Sequence, residues 1–165
     1  MKNVLTELPY GLAGKIYSSP LPFSPLFDSQ GEVLNAYHKL GVDKIVMLTL
    51  KEEARRVTGV DMLARYQDLG FDVIYSPVQD FSIPEKGAIQ LPIQKTLQAA
   101  KSGHTIVIHC HAGVGRTGIF ASCLAKVVFD ISGEAAVSWV RQYIPHAVEN
   151  TRQYQFVLDF KYLLD

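Results

Sequence analysis

The sequence has few cysteines and no long hydrophobic run. Only Cys110 and Cys123 occur among 165 residues, which is too few for a disulfide framework and favours a reducing compartment. No apolar run approaches the roughly 20 residues of a membrane-spanning helix, and residues 1–9 lack the apolar segment of a secretory signal. We therefore predict a cytoplasmic protein that does not associate with membranes.

The sequence also lacks an excess of either charge. Lysine plus arginine and aspartate plus glutamate each total 16, so the formal net charge is zero. Without a basic excess we predict no nucleic-acid partner, and any anion must be bound by a local site. The length fits one domain with its own core, so we predict a single domain and a monomer.

Short apolar runs alternate with helical patterns along the chain. Strands are predicted at 44–49, 71–75 and 104–109, and helices at 30–40, 61–69, 88–102, 116–131, 134–143 and 151–164. This alternation predicts an α/β fold, with a mainly parallel central sheet flanked by helices. Such sheets bind ligands at the carboxyl ends of their strands, where the most informative segment begins.

Residues 109–118 read His-Cys-His-Ala-Gly-Val-Gly-Arg-Thr-Gly. Because a strand ends at Cys110 and a helix begins near Arg116, the loop's N–H groups and the helix dipole can face an anion. Glycines in the loop allow the backbone to turn inward. We therefore predict a phosphate site formed by His111, Ala112, Gly113, Val114, Gly115 and Arg116.

Four residues of this segment are predicted to carry the chemistry. Arg116 can bind two phosphate oxygens through its planar fork. The same positive environment favours the thiolate of Cys110, the predicted nucleophile. The Thr117 hydroxyl can donate to this sulfur and help it leave in a second step. His109 is predicted to orient the loop through ring hydrogen bonds rather than to transfer protons.

Other interpretations of these residues remain open. Cys110 could be a small buried core residue, and His104, His109 and His111 could surround a metal ion together with it. Adjacent residues of a strand point to opposite faces and do not converge on one ion, so we predict no metal and no cofactor. Cys123 is expected in the core, or else as a redox partner of Cys110.

Residues 109–118 resemble the His-Cys-x-x-Gly-x-x-Arg-Thr-Gly signature of the protein tyrosine and dual-specificity phosphatase superfamily. By motif order the resemblance extends from about Gly11 to the end of the chain. It implies one dual-specificity-type phosphatase domain over residues 1–165, and metal-independent hydrolysis through a phosphocysteine. The short chain, which has no Lys-Asn-Arg-Tyr-type loop, is most similar to the compact atypical dual-specificity group.

Two further segments match this superfamily by position. Asp80, 30 residues before Cys110, resembles the general acid that must protonate the leaving oxygen. Gln153 resembles the glutamine that orients the hydrolytic water, with Gln155 as the alternative. Asp80 could instead be a solvated loop residue, and Gln153 an exposed residue of the last helix.

The resemblance implies phosphate monoester substrates, namely phosphotyrosine in proteins and also phosphoserine or phosphothreonine. No lysine lies inside the loop, which argues against highly phosphorylated lipids but leaves phosphorylated inositols and nucleotides open. A non-catalytic phosphate-recognition module is an alternative of another class, and a sulfur-transfer or arsenate-reducing enzyme is a third. Candidates for the rim of the pocket are Arg55, Arg56 and Arg152, with residues 20–25 as a wall.

Overall fold

The computed structural model describes residues 3–164, which form one five-stranded sheet with helices on both faces. The strands are β1 (Thr6–Leu8), β2 (Ile16–Ser19), β3 (Lys44–Met47), β4 (Asp72–Tyr75) and β5 (Ile106–His109). The helices are α1 (Glu32–Lys39), α2 (Lys51–Thr58), α3 (Met62–Asp68), α4 (Gln90–Lys101), α5 (Gly115–Phe129), α6 (Gly133–Arg141) and α7 (Thr151–Asp159).

The sheet is parallel except at one edge, which confirms the predicted fold class. Its strand order is β1-β2-β5-β3-β4, and only β1 runs antiparallel to its neighbour. At the carboxyl end of β5, His109 pairs with Ser19 of β2 on one side and with Met47 of β3 on the other. The segment after His109 therefore starts at the centre of the sheet.

Each face of the sheet is covered by its own hydrophobic core. Helices α1, α2 and α3 pack on one face through residues such as Tyr37, Ala54 and Tyr66. Helices α4 to α7 pack on the other face, which contains Cys110 and Cys123. Because successive residues of a strand point to opposite faces, β5 sends Val107 to the first core and its neighbours to the second.

Helix α5 crosses the second core and is buried along most of its length. Gly118 lets it approach the segment before α7, since a Cβ there would lie 2.6 Å from the backbone nitrogen of Val148. The third glycine of the 109–118 segment therefore serves helix packing rather than the loop. Within residues 3–164, no helix combines the length and the apolar character needed to cross a bilayer.

All three predicted strands and all six predicted helices are present, with one boundary clearly wrong. The last helix was predicted to reach Leu164 but ends at Asp159. The Lys126 ammonium donates to the carbonyls of Val157 (2.8 Å) and Phe160 (2.6 Å), and Phe160 is extended. This side chain satisfies carbonyls that a longer helix would have bonded internally.

Three elements were not predicted. Strands β1 and β2 have three and four residues, which is too short for a periodic pattern. Helix α2 was not predicted, because Ala54 and Val57 are its only apolar residues and its other buried residue is the charged Glu53.

Candidate active site

The loop between β5 and α5 depends on Gly113 for its shape. Gly113 has φ +79°, in the left-handed region, and a Cβ on it would lie 2.6 Å from the carbonyl oxygen of Ser19. A side chain is therefore excluded by both backbone conformation and space. The loop turns back against β2 and delivers the chain to the start of α5 at Gly115.

The backbone N–H groups of this loop are available to a ligand. Within the part of the chain that the structure describes, none of the N–H groups of residues 111–115 donates to a protein acceptor. The carbonyl of His111 accepts from the Leu21 N–H at 2.9 Å. Free N–H groups at the start of a helix can hold a tetrahedral anion, so the geometry is compatible with the predicted phosphate site.

Cys110 lies at the base of this loop with Thr117 beside it. The Thr117 hydroxyl donates to the Cys110 sulfur at 3.2 Å, and both residues are buried. This hydrogen bond stabilises a negatively charged sulfur. The geometry therefore matches the contact predicted between Thr117 and the nucleophile.

His109 is fixed between the loop and the first core. Its Nδ1 lies 3.1 Å from the carbonyl oxygen of Cys110, so Nδ1 carries the hydrogen, and Nε2 accepts from the Tyr66 hydroxyl at 2.9 Å. Burial, reinforced by the positive charge of Arg116, lowers the pKa of His109 from 6.5 to about 4. The ring is therefore neutral near pH 7 and orients the Cys110 carbonyl. Tyr66 was not predicted to take part.

Arg116 is held by a carboxylate that the sequence analysis missed. Its Nη1 and Nη2 each donate to one Glu53 oxygen at 2.7 Å, and Nη1 also donates to the Val78 carbonyl at 2.9 Å. Burial opposes both charges. The mutual hydrogen bonds and attraction outweigh it, so the pKa of Arg116 is raised and that of Glu53 is lowered. Both residues are therefore charged.

One edge of the Arg116 guanidinium remains for a ligand. A guanidinium has five N–H donors, of which Glu53 and Val78 take three. The remaining pair is Nε and the second hydrogen of Nη2. Nε is buried and has no acceptor within residues 3–164, while Nη2 lies 3.1 Å from Asp80 Oδ1. A phosphate that binds this edge is therefore placed directly beside Asp80.

The segment that carries Asp80, residues 80–83, is here called the acid loop. The Asp80 side chain is 45% exposed, and its Oδ1 also accepts from the next backbone N–H, that of Phe81, at 3.0 Å. Phe81 has φ +59°, which is unusual for an aromatic residue. The structure therefore places Asp80 beside Arg116.

Gln153 lies under the acid loop and is fully buried. Its Oε1 accepts from the Glu149 N–H at 2.8 Å, and its Nε2 donates to the Ser82 carbonyl at 3.1 Å. The alternative that Gln153 is an exposed helix residue is therefore wrong. Gln155 bonds Asp159 on the surface at 2.9 Å, away from these contacts.

A second wall of the site comes from residues 20–28. The Ser24 hydroxyl lies 3.0 Å from His111 Nε2, and the ring of Phe27 meets the His111 ring edge-on, with centroids 5.3 Å apart. Phe27, Pro20 and Ala112 line a cavity of about 340 Å³ beside the loop. The segment predicted as a wall therefore contacts His111 of the predicted phosphate site.

The arginines predicted at the rim lie elsewhere or make no contact with the loop. Arg152 lines a separate cavity of about 790 Å³ together with Lys86 and part of the acid loop. Arg55 and Arg56 are exposed on α2. The positive charge at the phosphate site therefore comes chiefly from Arg116.

Glu53, Asp80 and His111 bring potential metal-ligand atoms within 4.8 Å of one another. Both Glu53 oxygens already accept from Arg116, so a guanidinium supplies the cation at this cluster. The histidine cluster weighed from the sequence does not form, because His104 bonds Asp43 at 2.9 Å. Cys123 is buried in the second core, where burial raises the pKa of its thiol.

Comparison with known proteins finds a family whose description is "Polymorphic toxin system, DSP-PTPase phosphatase" (Tc-R-P), matched over residues 28–128, more than half of the chain. Cyclin-dependent kinase inhibitor 3 of Rattus norvegicus is 24% identical over 123 residues, which are 73% of this chain and 58% of that protein. The chain thus spans less than two thirds of this relative's length.

Solved structures with the same fold include kinase associated phosphatase with its catalytic-site cysteine replaced by serine. It superposes with a TM-score of 0.84 at 19% identity, covering 93% of this chain and 90% of that one. PTPMT1 in complex with PI(5)P gives a TM-score of 0.76 at 13% identity, covering 95% and 94%. These likenesses confirm the fold that the sequence predicted.

Proposed function

Because the chain belongs to the DSP-PTPase phosphatases of polymorphic toxin systems, and is thus a cysteine-based phosphatase, we propose that it hydrolyses aryl phosphate monoesters, above all phosphotyrosine in proteins. Phosphoserine and phosphothreonine are slower substrates in this proposal. The observation that carries it is the position of Asp80, whose Oδ1 lies 3.1 Å from Nη2 on the guanidinium edge of Arg116 whose Nε has no protein acceptor among residues 3–164.

In the first step the Cys110 thiolate attacks phosphorus. A P–S bond forms and the P–O ester bond breaks, while Asp80 gives its proton to the leaving oxygen. The loop N–H groups and Arg116 stabilise the equatorial oxygens. The fixed Glu53–Arg116 pair supports this role, because a donor that is already oriented needs no reorganisation during the reaction.

In the second step a water molecule attacks the phosphocysteine. Asp80, now a carboxylate, takes one proton from the water, and the P–S bond breaks to release phosphate and the thiolate. The Thr117 hydroxyl, 3.2 Å from the sulfur, stabilises the departing thiolate. No metal is needed in either step, because Arg116 and the loop supply the charge that a metal would supply.

Two exposed aromatic rings support a preference for aryl esters. Phe27, against His111, is 47% exposed, and Phe81, next to Asp80, is 65% exposed. Large exposed apolar side chains beside a polar site bind ligand surface of the same character. The Asp28 carboxylate holds the segment that carries Phe27, because it accepts from the N–H groups of Phe23 (2.8 Å) and Glu32 (2.8 Å).

Negative charge at the rim disfavours substrates with several phosphates. The Glu149 carboxylate lies in contact with the position where a Gly115 side chain would begin. Burial and the nearby charge of Asp80 raise the pKa of Glu149, despite the opposing effect of Arg116. Two carboxyl groups beside the site would repel a second phosphate, which supports monoesters over phosphorylated inositols.

We also infer that residues 1–165 act as a single phosphatase domain, as a monomer and in the cytoplasm. Both cysteines are free thiols, and a nucleophilic thiol keeps its activity only under reducing conditions.

The first test is hydrolysis of p-nitrophenyl phosphate in EDTA and fresh reductant, with wild type beside Cys110→Ser. We expect turnover only in the wild type, with a phosphoenzyme trapped on acid quench. A folded wild type that binds vanadate but gives no turnover would instead indicate a phosphate-recognition module.

Substrate class is tested with three peptides of one sequence that carry phosphotyrosine, phosphoserine or phosphothreonine. We expect the highest kcat/KM for phosphotyrosine, and we expect Phe27→Ala to reduce that advantage. Equal kcat/KM values for the three peptides would contradict the aryl preference while leaving the phosphatase chemistry intact.

A further inference from the structure

Three consecutive residues of the acid loop are each held by a different partner. Asp80 lies against Arg116. The carbonyl of the next residue, Phe81, accepts from Asn150 Nδ2 at 3.0 Å, and the carbonyl of Ser82 accepts from Gln153 Nε2 at 3.1 Å. Two side chains from the start of α7 thus bind the backbone immediately after the proposed acid.

The orientation of both amide side chains is fixed by their backbone partners. Asn150 Oδ1 accepts from the Gln153 N–H at 2.9 Å, and Gln153 Oε1 accepts from the Glu149 N–H at 2.8 Å. In each amide the oxygen faces a donor within the α7 region and the NH₂ faces a carbonyl of the acid loop. Each side chain therefore joins the fixed helix to the loop.

The acid loop needs such support because its conformation is locally unfavourable. Phe81 has φ +59°, and a non-glycine residue in the left-handed region persists only where surrounding contacts impose it. The Phe81 ring is 65% exposed and provides little packing of its own. Two bonds within the segment, from the Phe81 N–H to Asp80 Oδ1 and from the Ser82 N–H to the Gln79 carbonyl, shape the turn. The bonds from Asn150 and Gln153 are the ones that tie it to α7.

We propose that Asn150 and Gln153 are positioning residues that hold the acid loop in place, so that Asp80 stays beside the leaving oxygen of the substrate. This inference rests on the proposed function, in which Asp80 is the general acid. It gives Asn150 a role, and it gives Gln153 a role in the first chemical step besides the predicted orientation of water in the second.

Asn150→Ser is the sharpest test. Serine is an equally good helix N-cap, so α7 keeps its first hydrogen bond, but the hydroxyl lacks the amide that reaches Phe81. We measure kcat/KM for aryl phosphates whose leaving groups span a wide range of pKa. We expect a loss of about tenfold for the poorest leaving group and under about twofold for the best, since only poor leaving groups need the acid.

A double-mutant cycle separates positioning from a general structural effect. If Asn150 acts through Asp80, Asn150→Ser has no further effect in an Asp80→Asn background. Gln142→Ser, which removes an exposed amide at the end of α6, is the matched control, and we expect wild-type kinetics. Thermal unfolding of all variants shows whether the cap has been preserved.

Two results would overturn the proposal: equal losses on good and poor leaving groups, or independent losses in the double variant. Failure of the proposed function gives a different pattern, in which Asp80→Asn itself lacks dependence on the leaving group. The two ideas can therefore fail separately.

Discussion

Glu53 and Arg116 form a buried ion pair in which each carboxylate oxygen lies 2.7 Å from a different terminal nitrogen. This pair connects α2 on one face of the sheet with the start of α5. Together with the Val78 carbonyl it leaves only the Nε edge of Arg116 without a hydrogen bond, so a phosphate bound as proposed would meet the guanidinium in one orientation.

We predict that Glu53→Gln lowers both stability and activity. Removing one charge leaves Arg116 buried with less compensation, which costs on the order of 3 kcal/mol. The Arg116 guanidinium would also be held less firmly, which should reduce kcat/KM about tenfold or more. Urea unfolding measures the first effect, and steady-state hydrolysis of p-nitrophenyl phosphate measures the second. Glu52→Gln, on the exposed neighbour, is the control, and an equal loss there would remove the special role of Glu53.

The buried His109 predicts a loss of stability in mild acid. Its pKa is about 4 in the folded chain, below the ordinary 6.5, so only the unfolded chain binds the proton between these values. The stability that the folded chain gains with a neutral His109 is therefore complete above pH 6.5 and is lost as the pH falls towards 4. It amounts to about 2 kcal/mol between pH 7 and 5.

Urea unfolding at pH 7 and pH 5 checks this dependence. In His109→Asn, whose amide can replace the Nδ1 donor, the free energy of unfolding should depend less on pH. His146→Asn, at an exposed site, should keep the wild-type dependence. The same slope in His109→Asn as in the wild type would assign the acid sensitivity to other groups.

Thr117 offers a test directed at the second chemical step. Thr117→Val removes the donor to Cys110 at nearly constant volume, and Thr117→Ser keeps it. We expect the valine variant to accumulate phosphoenzyme, because its thiolate leaves without a hydrogen bond, and kcat to fall about tenfold. Rapid-quench kinetics would show a larger burst of p-nitrophenol. No burst in the valine variant, or an equal one in the serine variant, would contradict this role.

The loop glycines should differ in their tolerance of a methyl group. Gly113→Ala meets the Ser19 carbonyl and an unfavourable φ, so we expect loss of vanadate binding and a penalty of about 1–2 kcal/mol from the backbone alone. Gly115→Ala meets only the end of the Glu149 side chain, which can move. We expect it to keep vanadate binding within about tenfold. Calorimetric titration with vanadate compares the affinities of the two variants, and similar affinities would contradict this prediction.

The sequence-based predictions were most accurate for functional residues that are adjacent in the chain. Residues 109–118 form a strand end, a loop and a helix start, so their placement follows from local rules. Glu53 was not predicted because its partner is 63 residues away in the sequence. Helix α2 also has only two apolar residues, Ala54 and Val57, to indicate which face is buried. Tyr66 had no signal either, since a buried tyrosine resembles any core residue. Asn150 was not predicted to take part, because its bond to the Phe81 carbonyl depends on how the acid loop folds.

The dependence of the acid loop on α7 also bears on biosynthesis. The chain leaves the ribosome from its N-terminus, so the phosphate loop and α5 emerge before Asn150 and Gln153 do. A nascent chain at that stage contains Cys110 and Arg116 but has no partner for the carbonyls of Phe81 and Ser82. The two hydrogen bonds from α7 to the acid loop can therefore form only after the rest of the site has been synthesised.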